Sequence, residues 1–360
     1  MAIHKSAGKT VTEQFLAGLC EKSFLKLWSY PNPHRDDGKE LCDLLAVFEN
    51  QVFIFVDRES RRLQSYDATL TDWNRWKREA VDAQVRSVHG VERYLKMGRP
   101  VFLDSNLKVP FPVNIDLASA TFYKIVVAHG AKEACEKFSP QNVYGSLAIS
   151  YADQDVGSPV PFMIHLDRRN PVHVFDSQNL PIVLGELDTI HDFSSYLEAK
   201  HLALQKYAHL SYCGEEDLLA HYLYNLDETN KRHFIGPKDG DYDSVMIGEG
   251  EWKDFIQLPQ YKNKKRADEV SELWDDLIQR TAGAGAMTVT RTACAAAGWT
   301  RAWACVALNS AIAISSPPIS NWSSKFMVPL HSVFACALWC GPADACNPDT
   351  ECFNIRTTVT

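Results

Sequence analysis

The chain has 360 residues, of which 46% are apolar and 23% are charged, and its formal net charge at pH 7 is −8. These values are typical of folded globular proteins, and they exclude a disordered chain, a collagen-like chain and a chain that binds nucleic acid through overall positive charge. The length exceeds what one ordinary hydrophobic core supports, so we expect two domains and an appendage.

The composition changes abruptly near residue 281. Charged residues number 75 in residues 1–280 and only seven in residues 281–360, a segment that also holds six of the ten cysteines. Neither apolar run of this tail reaches the ~20 residues of a membrane-spanning helix, and its cysteines lack the spacing of a zinc site. We favour a frame-shifted or disordered tail that starts near residue 281. The alternative is a genuine Cys-rich interaction tail.

No apolar run of signal-peptide length occurs in the first 20 residues. We therefore expect a cytoplasmic protein with reduced cysteines and no membrane association. The sequence makes no prediction of the oligomeric state.

The elements predicted for residues 1–140 define an α/β domain. Thr10 and Glu13 form a capping-box pattern that begins a helix reaching about Trp28. Two apolar runs, 40–48 and 51–57, predict a β-hairpin that is apolar on both faces and therefore central in a sheet. A long amphipathic helix and two short strands complete the order α-β-β-α-β-β, with the helix over 71–97 and the strands over 100–103 and 123–128.

A second domain, α+β and mostly helical, is predicted for residues 141–280. Three strands open it and four helices follow, after which residues 281–360 form the irregular tail. The strands are expected at 143–150, 161–166 and 172–175, and the helices at 184–207, 215–226, 251–257 and 261–280.

Three carboxylates near the hairpin are the strongest candidates for chemistry. Strand alternation places Asp43 on an apolar face of a buried strand, where a carboxylate must be paired, protonated or bound to a metal. Asp57 and Glu59 follow at alternate positions of the next strand, with Arg58 between them. Glu13 or Glu21 of the preceding helix can add another carboxylate.

Over residues 10–130 the chain resembles the PD-(D/E)XK nuclease superfamily. The resemblance consists of a helix with acidic residues, a strand with an aspartate, a second strand with an acidic triplet, and a further helix. The resemblance implies a restriction-endonuclease-like fold, with Asp43, Asp57 and Glu59 as catalytic residues and Asp43 and Asp57 as Mg²⁺ ligands. It departs from the family pattern at Glu59, where most members have lysine. Stretches 39–58 and 172–200 also resemble parts of bacterial proteins, which brings no activity with it.

The turn of the hairpin decides whether Asp43 and Asp57 can meet. If Glu49 and Asn50 alone form the turn, Asp43 faces Val56, and Asp57 points to the opposite face. If the corner holds a third residue or a bulge, the two carboxylates share one face. Only the second arrangement makes a metal site. The first favours an interaction protein without catalytic activity.

A stripe of basic residues on the long helix indicates contact with phosphate. Its members recur at steps of three and four along the side opposite the tryptophans. The stripe consists of Arg75, Arg78, Arg86, His89, Arg93 and Lys96. A solvated helix face is the plainer interpretation of the same pattern.

Two functional hypotheses follow from the sequence. The first is a Mg²⁺-dependent nuclease-like protein that acts on phosphodiesters of DNA or RNA and binds them through Arg75, Arg78, Arg86, Arg93 and Lys96. The second is a bacterial interaction or scaffold protein that uses the same fold without catalysis.

Overall fold

The computed structural model describes residues 5–58, 63, 70–139, 144–153, 161–227, 229–230 and 232–266. All of these lie in one compact unit that extends from Met1 to Thr290. The domain boundaries predicted near residues 140 and 281, Glu59 and the tail 281–360 fall outside the described residues. The predictions made for them stay predictions.

The described part of the chain is a mixed α/β structure. Its helices are α1 (Val11–Trp28), α2 (Leu70–Lys77), a π-helical turn (Arg78–Asp82), α3 (Ala83–Lys96), α4 (Lys132–Phe138), α5 (Asn179–Glu186), α6 (Ile190–Lys206), α7 (Glu215–Tyr224) and α8 (Glu251–Phe255). Its strands are β1 (Ser29–Pro31), β2 (His34–Arg35), β3 (Leu44–Phe48), β4 (Gln51–Arg58), β5 (Val101–Phe102), β6 (Thr121–Ala128), β7 (Ala148–Ala152), β8 (Met163–Asp167), β9 (His173–Asp176), β10 (His209–Tyr212), β11 (Leu226–Asp227), β12 (Arg232–His233) and β13 (Ser244–Ile247). Residues 259–266 are also helical.

A five-stranded sheet in the order β1-β3-β4-β6-β9 organises the molecule. Strands β1, β3 and β4 are antiparallel, whereas β4, β6 and β9 run parallel to one another. The predicted hairpin is β3–β4, and it lies inside the sheet as expected. Since β9 comes after residue 140, chain from both sides of the predicted domain boundary contributes to this sheet.

Helices cover both faces of the five-stranded sheet. On one face, Phe53 stacks on Tyr123 and on Phe24 of α1, and Phe193 of α6 packs against the same ring. On the other face, Lys124, which pairs with Ile54 in the register, contacts Glu92 of α3. Helix α1 therefore lies across the sheet from α3. This fits strands that are apolar on both sides.

The long helix was predicted with its buried side correct. All six residues assigned to its core side are at most 6% exposed: Trp73, Trp76, Ala80, Val88, Val91 and Leu95. Its interruption by a π-helical turn was not predicted. Such a turn adds one residue to the spacing and changes which side chains share a face.

Several short elements were missed because they carry little periodicity of their own. Strand β1 lies in a segment rich in turn formers, which predicted a loop, and it pairs with β3 over only three residues. Helix α4 and strands β10 and β13 were not predicted either. One helix predicted over 184–207 is instead the pair α5 and α6, which are separated by residues 187–189.

A fully buried ion pair lies between the first sheet and a second sheet, which has the order β13-β10-β7-β8. The Nζ atom of Lys200 on α6 lies 2.7 and 2.9 Å from the two carboxylate oxygens of Glu215 on α7. Tyr196 and Tyr212 each donate a hydroxyl hydrogen bond to Glu215 at 2.7 Å. The Lys200 ammonium also lies over Phe175 of β9 in the first sheet and over Tyr212 of β10 in the second.

We predict that Lys200→Met destabilises the protein by about 3–5 kcal/mol, because it leaves the Glu215 carboxylate buried without a counter-ion. Urea denaturation followed by circular dichroism measures the change. Lys206→Met, in the last turn of the same helix, is the matched control and should cost less than about 1 kcal/mol. Equal losses in the two variants would show that the buried ion pair does not stabilise the fold.

Candidate metal-binding carboxylate cluster

Glu13 is held at the start of α1 by the local structure that begins the helix. The Thr10 hydroxyl accepts a hydrogen bond from the Glu13 amide at 3.2 Å, which confirms Thr10 as the helix cap. The Glu13 carboxylate accepts the Lys9 amide at 2.7 Å and the Asn32 side-chain amide at 2.8 Å. Only 8% of Glu13 is exposed. The carboxylate is therefore fixed beside the sheet.

The hairpin turn contains two residues, yet a bend in β3 changes its consequence. Phe48 pairs with Gln51 and Leu44 with Phe55, so Glu49 and Asn50 alone form the turn. Regular alternation would then turn Asp43 away from Asp57.

The chain departs from that alternation at Asp43. The Asp43 amide donates to the Phe55 carbonyl at 3.2 Å, so Asp43 and Leu44 both lie opposite Phe55. Two residues opposite one is the arrangement of a β-bulge. The Asp43 carboxylate consequently accepts the Asp57 amide at 2.7 Å. A two-residue turn was expected to place Asp43 and Asp57 on opposite faces of the sheet. The bulge at Asp43 instead brings its carboxylate to the Asp57 amide.

Glu13, Glu40 and Asp43 form a cluster of three carboxylates. Each offers one oxygen, and these three atoms lie within 4.8 Å of one another. The Lys9 ammonium contacts Glu40 at 2.6 Å, and the Asn32 amide donates to both glutamates. Hard oxygen ligands of this kind suit Mg²⁺, Mn²⁺ or Ca²⁺. The residues present therefore fit a divalent cation.

Asp57 lies at the end of β4 and is not a member of that cluster. Its Oδ1 atom is 2.6 Å from His129 Nε2, while Oδ2 is buried without a hydrogen-bond partner among the described residues. The charge of Asp57 contributes to raising the pKa of Asp43. Asp57 therefore sits beside the cluster, and whether it binds the metal stays a prediction.

Burial and mutual repulsion set the charge of the cluster. The pKa of Asp43 is raised to about 7: burial is the largest cause, the charges of Glu13, Glu40 and Asp57 add to it, and the hydrogen bond from the Asp57 amide opposes it. Burial also opposes ionisation of Glu13, but the hydrogen bonds from Asn32, Lys9 and Thr10 outweigh it and lower the pKa. At neutral pH Glu13 is ionised, whereas Asp43 is protonated in part of the molecules.

The basic stripe is exposed, and it extends away from the carboxylates. Trp76 of α2 donates its indole N–H to the His129 carbonyl at 3.1 Å, next to Asp57. At the other end of the helix, the Lys96 ammonium lies over the ring of Phe122, where β6 begins. At ~1.5 Å per residue the two ends are about 30 Å apart. Arg75 and Arg78 flank Trp76, whereas Arg93 and Lys96 belong to the distant end.

Neighbouring acids neutralise part of the stripe. Arg75 pairs with Glu79 at 3.4 Å and Lys96 with Glu92 at 2.7 Å. Arg78, Arg86 and Arg93 are exposed and form no ion pair with another residue of the described part of the chain. These three arginines are the members whose charge remains available.

Glu40 and His129 belong to the site region and were not identified from the sequence. Glu40 is the first residue of the run 40–48 that predicted a strand, and nothing in that pattern indicated a site. His129 directly follows β6. Its contact with Asp57 depends on the parallel pairing of β4 with β6, which the sequence does not show. Glu13 gave a usable signal, because it continues the buried stripe of Leu16, Ala17, Cys20 and Phe24 on α1.

Comparisons with known proteins return nothing for this chain: no protein-family model, no curated protein and no solved structure matches it. Among the described residues, no helix has the length and hydropathy needed to cross a membrane. The cysteines at positions 20, 42, 135 and 213 are free thiols.

The deprotonation of Asp43 should make the metal-free protein lose stability as pH rises. Its pKa in the folded state, about 7, lies above its ordinary value near 3.8. The folded state therefore holds the proton more strongly between about pH 4 and pH 7, and this stabilisation is lost as pH rises through 7.

Urea denaturation in EDTA at pH 5 and pH 8 measures the effect. Asp43→Asn keeps an acceptor for the Asp57 amide and does not titrate, so its stability relative to the wild type should rise between pH 5 and pH 8 by on the order of 2–3 kcal/mol. Asp239→Asn on an exposed loop should show no such difference. A stability gap that is the same at both pH values would contradict the raised pKa.

Proposed function

We propose that this protein is a Mg²⁺-dependent nuclease that hydrolyses phosphodiester bonds of DNA or RNA. The observation that carries the proposal is the convergence of Glu13, Glu40 and Asp43 beside the hairpin. The restriction-endonuclease-like fold belongs to the same proposal, and the order α1, β3, β4 and the α2–α3 helix supports it.

The carboxylates of Glu13, Glu40 and Asp43 would hold the metal ion. Mg²⁺ in such a site supplies an activated water and stabilises negative charge on the scissile phosphate. Glu13 contributes a fixed, ionised ligand, since its hydrogen bonds from Lys9 and Asn32 anchor it. Asp43 contributes a ligand whose proton leaves near neutral pH, so binding should strengthen as pH rises through about 7.

Asp57 and the near end of the basic stripe complete the proposed machinery. The Asp57 amide orients the Asp43 carboxylate, and His129 holds the Asp57 carboxylate at 2.6 Å. Arg75 and Arg78 are the stripe residues nearest to this edge, and we assign them to the phosphates that flank the scissile bond. Glu59 would act as a third acidic residue, as the family resemblance implies.

The alternative function, an interaction or scaffold protein without catalysis, is favoured by one observation. Lys9 and Asn32 already satisfy hydrogen bonds to Glu13 and Glu40. A network of this kind can be purely structural, because buried or half-buried carboxylates need such partners whether or not they bind a metal. Cleavage experiments separate the two functions.

The central experiment measures cleavage of labelled single-stranded DNA, duplex DNA and RNA with 5 mM Mg²⁺ or Mn²⁺. The wild-type protein should cleave at least one of these substrates, and EDTA should abolish cleavage. Asp43→Asn should reduce the rate at least about 100-fold while the circular dichroism spectrum stays unchanged. Asp239→Asn should keep the wild-type rate. A wild-type protein that cleaves none of these substrates with either metal is not a nuclease.

Glu40 offers a separate test, because only the folded structure assigns it to the cluster. Glu40→Gln removes one charge from the ligand set but keeps the side-chain volume. We expect the Mg²⁺ concentration for half-maximal cleavage to rise about 10-fold, with a smaller change in the rate at saturating metal. Glu133→Gln, an exposed site on α4, is the control. An unchanged metal requirement in Glu40→Gln would remove Glu40 from the site.

A further inference from the structure

An open cavity of about 380 Å³ lies at the C-terminal end of α3. Side chains from α3 and from the loop between β8 and β9 converge on it. Its lining consists of His89, Glu92, Arg93, Lys96, Met97 and Asn170.

A buried lysine lies behind this lining. Lys124 of β6 is only 5% exposed, and its ammonium is 3.2 Å from the Glu92 carboxylate. It also donates a hydrogen bond to the side-chain oxygen of Asn170. Lysine is seldom buried to this degree, and here it adds positive charge directly beneath an open cavity.

The cavity has more positive than negative charge. Glu92 is its single acidic lining residue, and it is shared by Lys96 at 2.7 Å, Lys124 at 3.2 Å and His89 at 3.7 Å. Arg93 forms no ion pair within the described residues. Burial lowers the pKa of His89, and the charges of Lys124 and Arg93 lower it further, against the opposing effect of Glu92. An anionic ligand would relieve this excess.

We propose that the cavity binds a backbone phosphate of a polynucleotide that follows the exposed side of α2 and α3. The inference rests on the proposed function and specifies its substrate as a polymer long enough to follow this helix. Arg78 and Arg86 are exposed between the two ends of the helix and have no acidic partner among the described residues, so the backbone has cationic contacts along the way. From Arg78 to Lys96 the helix rises about 27 Å, which corresponds to about eight base pairs of a duplex that rises about 3.4 Å per base pair.

The test measures binding in EDTA, where cleavage does not occur, by fluorescence anisotropy of labelled DNA. Single strands and duplexes of 6, 12 and 24 nucleotides are titrated at salt concentrations from 50 to 200 mM. The variant is Arg93→Gln with Lys96→Gln, and the charge-matched control is Lys253→Gln with Lys262→Gln, at two exposed lysines elsewhere. Inorganic phosphate serves as a competitor.

We expect wild-type affinity to rise steeply between 6 and 12 nucleotides. The cavity variant should bind the 24-nucleotide DNA about 10-fold more weakly at 50 mM salt, with the slope of log K against log salt reduced by about 2, which is two lost phosphate contacts. The control should change affinity less than 2-fold. Inorganic phosphate should compete only at millimolar concentration.

Three results would overturn the proposal: a cavity variant that behaves like the control, an affinity that does not depend on length, or inorganic phosphate that competes at micromolar concentration. The last would identify a site for a small free anion. Loss of the expected cleavage with length-dependent binding intact would refute the nuclease and leave the cavity assignment standing. Cleavage by the wild type, together with a cavity variant that binds DNA like the control, would support the nuclease and refute the cavity assignment.

Discussion

The hydrogen bond from the Asp57 amide to the Asp43 carboxylate is the contact on which the candidate site depends. It forms because β3 bulges at Asp43, and it joins the ends of two adjacent strands at 2.7 Å. Without the bulge, a hairpin with a two-residue turn would place the Asp43 side chain on the face covered by α3. With it, the carboxylate joins Glu13 of α1 on the opposite face.

The N-terminal segment helps to bring acidic residues that are distant in sequence together at this site. Residues 5–9 lie against the start of α1 and the loop after β1, because Ser6 donates to Asn32 and Lys9 contacts both Glu13 and Glu40. Gly8 has a φ of +97°, and a Cβ atom there would lie 2.7 Å from the Gln14 backbone. Only glycine allows this close approach, so the N-terminal segment is part of the site's construction.

Part of the fold followed directly from sequence patterns. The helix that begins at Thr10, the central hairpin and the buried side of the long helix each had a strong periodicity or a capping signal, and all three are present. Strand β1 and Glu40 were not predictable in this way. Both depend on tertiary pairing: β1 is a strand only because β3 lies beside it, and Glu40 meets Glu13 through a loop.

The candidate site shows the same division. Asp43 was identifiable because an acidic residue on an apolar strand face requires a partner, whereas the sequence left Glu13 and Glu21 as equal candidates on the preceding helix. The position of Asp57 relative to Asp43 was not, since strand alternation gives only two answers and the bulge at Asp43 is neither a longer turn nor a regular strand. Local backbone departures of one residue leave no mark in the hydrophobic pattern.

Metal binding by Glu13, Glu40 and Asp43 is the central claim, and its most direct measurement is thermal unfolding at increasing Mn²⁺ concentration. A ligand that binds only the folded state stabilises it by about 2.7 kcal/mol at 100 times its dissociation constant. For a protein of this size we predict that the melting temperature of the wild type rises by several degrees and continues to rise with the logarithm of the metal concentration. The triple variant Glu13→Gln, Glu40→Gln, Asp43→Asn should show no such rise. Equal shifts in the two proteins, or none in the wild type at 10 mM Mn²⁺, would contradict the claim.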